Sequence, residues 1–206
     1  EVKQISVVRL FLAIFDFAFV VYLIPGMWGA PLKAVSGLIP PPDTQDFDIQ
    51  RLIVENAGPK GSTVQFQGSL PADRKYADKL HMPTGFEGFY DLDEAKAYAK
   101  KVGKPIFIDF TGRNCNNCRE MEQSVWSDPA VKKILNDEFV MVAMYADMNA
   151  IELPEDEWVT DDNGRVIKPL GRRTLYYETK HFNNNAQPYY VIIDADENVL
   201  TKENFK

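Results

Sequence analysis

Cysteine is scarce in this chain of 206 residues, which has two, Cys115 and Cys118. That count excludes a framework of several disulfides, and with 45% hydrophobic residues the chain has enough apolar material to build a core without one. Histidine is as rare, His81 and His181 alone, so a zinc site on the cysteines would need ligand spacings unlike any finger. Arg119, not histidine, follows the second cysteine, which excludes covalent haem attachment through Cys-x-x-Cys-His. Positive charge is in deficit: 23 Lys and Arg against 30 Asp and Glu give a net −7, the opposite of a nucleic-acid surface. We therefore expect no nucleic-acid partner, no metal, and no cofactor beyond the cysteine pair itself.

What is present begins at the N-terminus. Leu10 to Trp28, LFLAIFDFAFVVYLIPGMW, is close to the ~20 apolar residues that cross a bilayer as a helix. A signal-peptide apolar region is the alternative, since Lys3 and Arg9 precede the run and Gly29-Ala30 follow it. Either reading sends the rest of the chain outward. Asp16 is costly in lipid and is expected to face other helices or water, unless it is a tolerated polar residue near a helix turn. Residues 1–29 are thus assigned to a membrane helix. Residues 30–50, with Pro31 and Pro40-Pro41-Pro42, suit a semi-rigid spacer, and Leu32, Val35 and Leu38-Ile39 are placed along the membrane surface. Residues 51–84 read as an extension with short strands at Arg51–Val54 and Thr63–Phe66, and residues 85–206 as the principal domain. The chain begins with Glu1 and stops soon after the strand-like run 189–194, so we expect a segment of something longer, with its C-terminus cut short.

In the principal domain Asp91 and Glu94 look like a capping box, and Leu92, Ala95, Ala99 and Val102 follow at helical spacing until Gly103. Ile106–Phe110 is a nearly continuous apolar run, the mark of a strand buried on both faces, interrupted by Asp109. A helix is expected from Cys115, ending near Ser127-Asp128-Pro129, where a second helical piece begins. Phe139–Tyr145 and Tyr189–Ile193 read as two further buried strands. Between them lie a hairpin over Trp158–Ile167, turning at Asn163-Gly164, and a helix near Leu175–Phe182. Helix and strand alternate, an α/β pattern.

Four features carry chemistry. A cysteine at the first turn of a helix has its thiolate stabilised by unpaired N–H groups and the helix dipole, which assigns Cys115 as nucleophile and Cys118, one turn on, as the resolving thiol. A purely structural disulfide is the competing reading, but a loop this short removes little chain entropy. Asp109, polar in a buried strand, would have its pKa raised by desolvation and could accept the proton of Cys118; alternatively it bonds backbone at a strand end. Glu122 either points inward, raising the cysteine pKa values, or lies on a solvated face, while Arg113 and Arg119 would act in the opposite sense if close. Gln187-Pro188 directly precedes a strand, either as an edge device or as a cis bond presenting backbone to an extended peptide; we expect cis.

Strand, Cys-x-x-Cys, helix, then proline before a strand resembles the thioredoxin fold, a central mixed sheet flanked by helices. The resemblance is closer to the C-terminal domain of transmembrane thiol:disulfide interchange proteins of the DsbD type. It is carried by Lys104–Gly112 (KPIFIDFTG), Cys115–Glu122 (CNNCREME), Trp126–Pro129 (WSDP) and Gly85–Tyr90 (GFEGFY), over roughly residues 85–194. The apolar N-terminus is similar to the last membrane helix of those proteins. The resemblance implies that the acids at Asp109 and Glu122 restrain cysteine reactivity until a partner docks. It also implies a protein-disulfide reductase on the periplasmic side of a bacterial inner membrane, taking electrons from a membrane cysteine pair and passing them to periplasmic thiol-disulfide domains. A single-span protein serving one client, such as apocytochrome c maturation, and a redox-inert peptide-binding module are the other readings. Asn114 stands where most thioredoxins have Trp, so it joins Gln187 and Pro188 as a candidate substrate contact. The insert 149–171 is longer than a minimal connection, and the closing strand beyond Asn198 and a final helix are expected to be absent.

Overall fold

The computed structural model describes residues 5–28, 32, 35 and 70–201. The chain divides into two compact units, residues 1–62 and 63–206. In the first, helix α1 spans Val7–Leu23, capped by the Ser6 hydroxyl, which accepts from the Arg9 N–H, and a 3₁₀ turn follows over Ile24–Trp28. The helix starts three residues before Leu10, because Ser6 is the first residue able to cap it. No side chain of α1 is buried, and Val7–Met27 is long and apolar enough to cross a membrane. The two strands expected within 51–66, and most of the proline-rich spacer, lie outside the described residues.

In the second unit, helix α2 runs Leu92–Val102 and ends on Gly103 in the left-handed region, φ 69°. Asp91 caps it, accepting from the N–H groups of Asp93 and Glu94 at 3.1 and 3.2 Å. The capping box is not closed: the Glu94 carboxylate accepts from the backbone N–H of Lys75, at 3.0 Å, and so ties the preceding segment to the helix. Strand β1, Ile106–Thr111, is buried at all six positions. Helix α3 spans Asn116–Met121, widens into a π turn over Glu122–Trp126, and gives way to α4, Pro129–Glu138. Residues four apart on a regular α-helix drift by about 40° per step; the wide turn takes up that drift, so that Cys118, Glu122 and Trp126 all stay on the inner face. Asp128 accepts from the N–H groups of Ala130 and Val131, with Pro129 at the first helical position.

Strand β2 covers Val140–Tyr145, again wholly buried; Phe139 caps α4 instead of joining the strand. Strands β3, Val159–Thr160, and β4, Val166–Ile167, form the expected hairpin. Its turn differs in detail, since Gly164 alone takes a positive φ and the Asp161 carboxylate accepts from the N–H groups of Asn163 and Arg165. Helix α5 spans Leu170–Phe182, five residues longer at its start than expected. Its buried positions there are Leu170, Gly171 and Thr174, a small and partly polar set that shows little hydrophobic periodicity. Strand β5 is Tyr189–Ile193.

The sheet order is β2-β1-β5, with β1 parallel to β2 (Ile106 opposite Val140) and antiparallel to β5 (Phe110 opposite Tyr189). Both outer flanks are partly covered. Phe89 bridges β2 at Val142, and Val199 bridges β5 at Ile193, with the Leu200 N–H donating to Ile192 O at 2.8 Å. The chain beyond Asn198 therefore does return along β5, contrary to expectation. Side chains of β1 alternate: Ile106, Ile108 and Phe110 join Ala95, Ala99, Val142 and Val191 in one core cluster, whereas Phe107 packs with Trp126, Leu135 and Met141 in another. Each such apolar side chain contributes about 1.5–3 kcal/mol by leaving water. By the same alternation Asp109 shares the face of Phe107, the face that α3 and the π turn cover.

Candidate functional site: a disulfide over a buried acid

Strand β1 delivers the chain to a tight turn, in which the Cys115 N–H donates to Gly112 O at 3.2 Å. The Asp147 carboxylate, two residues beyond β2, accepts from the N–H groups of Arg113 and Asn114, each at 2.9 Å. A Cβ at Gly112 would stand 3.1 Å from Asp147 Oδ2 and 3.3 Å from Cys115 Cβ, so glycine is what allows the turn to close on both. Cys115 then caps α3. Its Sγ lies 3.2 Å from the Cys118 N–H, and the two cysteines form a disulfide with Cα atoms 5.2 Å apart. Cys115 is partly exposed, but Cys118 is only 1% exposed. An external thiol or disulfide can therefore meet Cys115 and not Cys118.

Asp109 is buried within the wall, and its Oδ1 has no hydrogen-bond partner. Desolvation holds its carboxyl well above the ordinary carboxylate range; the nearby charge of Glu122 adds to that, and Arg119 opposes it. Glu122 does point inward, and its side chain is 10% exposed. Arg119 holds Glu122 to the strand end: Nη2 pairs with Glu122 Oε1 at 2.8 Å and donates to Thr111 Oγ1 at 3.1 Å. Tyr145 and Tyr190 sit against this group, their phenols pushed up first by burial, with the Asp109 and Glu122 charges acting in the same direction. Arg113, by contrast, lies on the exposed turn.

The Gln187–Pro188 bond is cis. Because Tyr189 faces Phe110, Pro188 comes abreast of Thr111, at the end of β1 from which the cysteine turn departs. Gln187 does not present its side chain outward: its Nε2 donates to Glu178 Oε2 at 2.7 Å. The structure thus joins Cys115 to Cys118 in a disulfide and brings Asp109 within electrostatic reach of Glu122, with Asn114 exposed on the cysteine turn and Pro188 at the same end of the sheet. Two residues escaped the sequence reading. Asp147 could have been found as the acid just past a buried strand parallel to β1; Glu178 had no signal beyond its helical position four after Thr174. Among the described residues no three of His, Cys, Asp and Glu stand close enough to hold a metal ion.

A partly exposed cysteine at a helix start, linked to a buried one, with a desolvated acid in the strand that leads into their turn, defines a thiol:disulfide oxidoreductase domain. A family model described as Thioredoxin-like matches residues 88–195, and the chain belongs to that family. It is 38% identical over 60 residues to the thiol:disulfide interchange protein DsbD of Salmonella typhi, a match covering 29% of this chain and 10% of that protein. The DsbD proteins of Salmonella paratyphi A and Salmonella typhimurium match to the same extent, so the chain aligns with about a tenth of the length of these curated relatives. Among solved structures, a thioredoxin from Thermus thermophilus superposes with a TM-score of 0.39 at 20% identity, covering 58% of this chain and 74% of that one. A structure described as DsbH oxidoreductase gives 0.40 at 17% identity, covering 68% and 85%.

Proposed function

We propose that residues 85–206 form a protein-disulfide reductase domain, held by the helix within residues 1–29 on the periplasmic face of a bacterial inner membrane, with 30–50 as spacer and 51–84 as an extension of the domain. Its donor would be a membrane cysteine pair and its acceptors periplasmic thiol-disulfide domains. The observation that carries this reading is the placement of Asp109 and Glu122, two acids sharing one wall with the cysteine pair. An ionised acid there disfavours a neighbouring thiolate, with Arg119 offsetting part of the Glu122 charge and Asp109 adding its own once it loses its proton; this favours the disulfide over the dithiol and makes the dithiol a stronger reductant.

Chemically, the reduced Cys115 thiolate attacks a partner disulfide, forming a mixed disulfide and expelling one partner thiolate. Asp109 takes the proton of Cys118, whose thiolate attacks Cys115 Sγ; the Cys115–Cys118 disulfide forms, and the second partner sulfur leaves. Two electrons have passed to the partner. Asp109 then returns its proton to the departing thiolate. Asn114 and Pro188 are the proposed contacts for the partner's chain, and Gln187 contributes through its backbone.

Equilibration of the purified chain with a dithiothreitol series tests the direction. A potential in the reducing range, about −200 mV or below, is expected, and one near about −120 mV, where strong oxidants lie, overturns the reductase reading. Cys115→Ser should abolish reduction of protein disulfides; unchanged cellular function in that variant would point to a redox-inert peptide-binding module instead.

A further inference from the structure

Glu178 is fully buried on α5, and both of its oxygens are occupied by the loop that leads into β5. Oε1 accepts from Asn184 Nδ2 at 2.6 Å and Oε2 from Gln187 Nε2 at 2.7 Å. The same Asn184 Nδ2 also donates to Ala186 O, at 2.8 Å, so one carboxylate fixes residues 184, 186 and 187 together. An ionised carboxylate accepts only, and two amide donors are what it requires. Burying that charge is expensive, and a network of this kind is useful only when every member is satisfied. What the network does hold is the backbone immediately before Pro188, which the strand register sets abreast of Thr111 beside the cysteine turn.

We propose that Glu178 is a positioning residue for partner capture: by clamping Asn184 and Gln187 it presets the backbone of 184–188 for an extended polypeptide flanking the disulfide that meets Cys115. This rests on the proposed exchange chemistry, though not on its direction. A protein disulfide, which needs the loop as a docking edge, depends on the clamp. A small disulfide, which needs only the sulfur of Cys115, does not.

The test uses the full chain in detergent micelles, carrying Cys118→Ser so that Cys115 stops at the mixed disulfide. Second-order rates of mixed-disulfide formation are measured with a disulfide-bonded unfolded polypeptide, such as denatured ribonuclease, and with oxidised glutathione. Glu178→Ala is expected to slow the polypeptide reaction about tenfold and to change the glutathione reaction less than about twofold. The swap Glu178→Gln with Gln187→Glu restores an acceptor for Asn184 and a donor–acceptor pair between 178 and 187, and should recover most of the polypeptide rate. Equal slowing with both reagents, or no slowing with either, overturns the proposal. Where Glu178→Ala fails to fold, Gln187→Leu, which leaves the Glu178–Asn184 bond, decides on the same ratio. A failure of the exchange reading itself appears differently, as a Cys115 that reacts with neither reagent in the Cys118→Ser chain before Glu178 is touched.

Discussion

Asp109 is the residue whose ionisation is most consequential. Its pKa is raised in the folded chain by desolvation first, then by Glu122. Between the unfolded and folded pKa values the native state holds a proton that the unfolded state has lost, so stability falls as pH rises through that interval. Replacing Asp109 by Asn removes this loss. The variant should therefore melt a few degrees above the parent near pH 8, with the gap closing toward pH 4, as thermal melts across pH would show; about 2–4 °C corresponds to 1 kcal/mol in a chain of this size. On the proposed chemistry the same substitution withholds the proton acceptor for Cys118, so resolution of a trapped mixed disulfide should slow on the order of a hundredfold in stopped-flow assays. Asp109, Cys115 and Cys118 were legible because a charge in an apolar run and a two-residue cysteine gap are local signals. Glu122 and Arg119 were legible as charges, but their sign of action was not. Their pairing at 2.8 Å is the ordinary i,i+3 contact of a helix, but which way the pair faces is set by how the helix docks on the sheet. Asp147 acts on backbone groups 34 and 33 residues back in the chain, and Glu178 on loop amides six and nine residues on, contacts that follow no helical or strand spacing.

Among the elements, α2 was readable at both ends because Asp91 and Gly103 have single-residue reasons to be there. The start of α5 was not, since its buried face begins with Leu170, Gly171 and Thr174 and Pro169 gives no side-chain cap. The two helices are joined electrostatically. Arg173 of α5 pairs with Asp91 at 3.3 Å and with Glu157 of the insert at 2.7 Å, and Glu157 also takes Lys75 at 2.7 Å. Asp91 thus serves as helix cap and as partner of a half-buried arginine. Asp91→Ala should cost about 2 kcal/mol, more than the ~1 kcal/mol of a cap alone. Urea denaturation would check this, with Asp128→Ala, whose carboxylate only caps α4, as the smaller comparison.

At the scale of the whole chain, the thioredoxin-like assignment was available from the order of elements and the position of two residue pairs, whereas the returning segment at Val199 was not. A turn between Asp194 and Asn198, one bridge and the Leu200 N–H to Ile192 O contact hold it, too little to mark a strand in composition. The N-terminal helix carries its own expectation. With no side chain of α1 buried, the full chain should stay in the membrane pellet after alkaline carbonate extraction, and a chain lacking residues 1–29 should move to the supernatant.

The central strand β1 has one partner, β2, close in the chain and another, β5, far from it. Closing the shorter loop loses less chain entropy, so β1–β2 pairing is expected to precede the docking of β5 both in refolding and as the chain is synthesised from its N-terminus. Asp147 arrives with the first step and shapes the cysteine turn; Glu178 and Pro188 arrive with the last. On the proposed function the cysteine pair should therefore be in place before the loop that would dock a partner, and a nascent chain in that interval is expected to expose a thiol that can meet oxidants without discrimination among them.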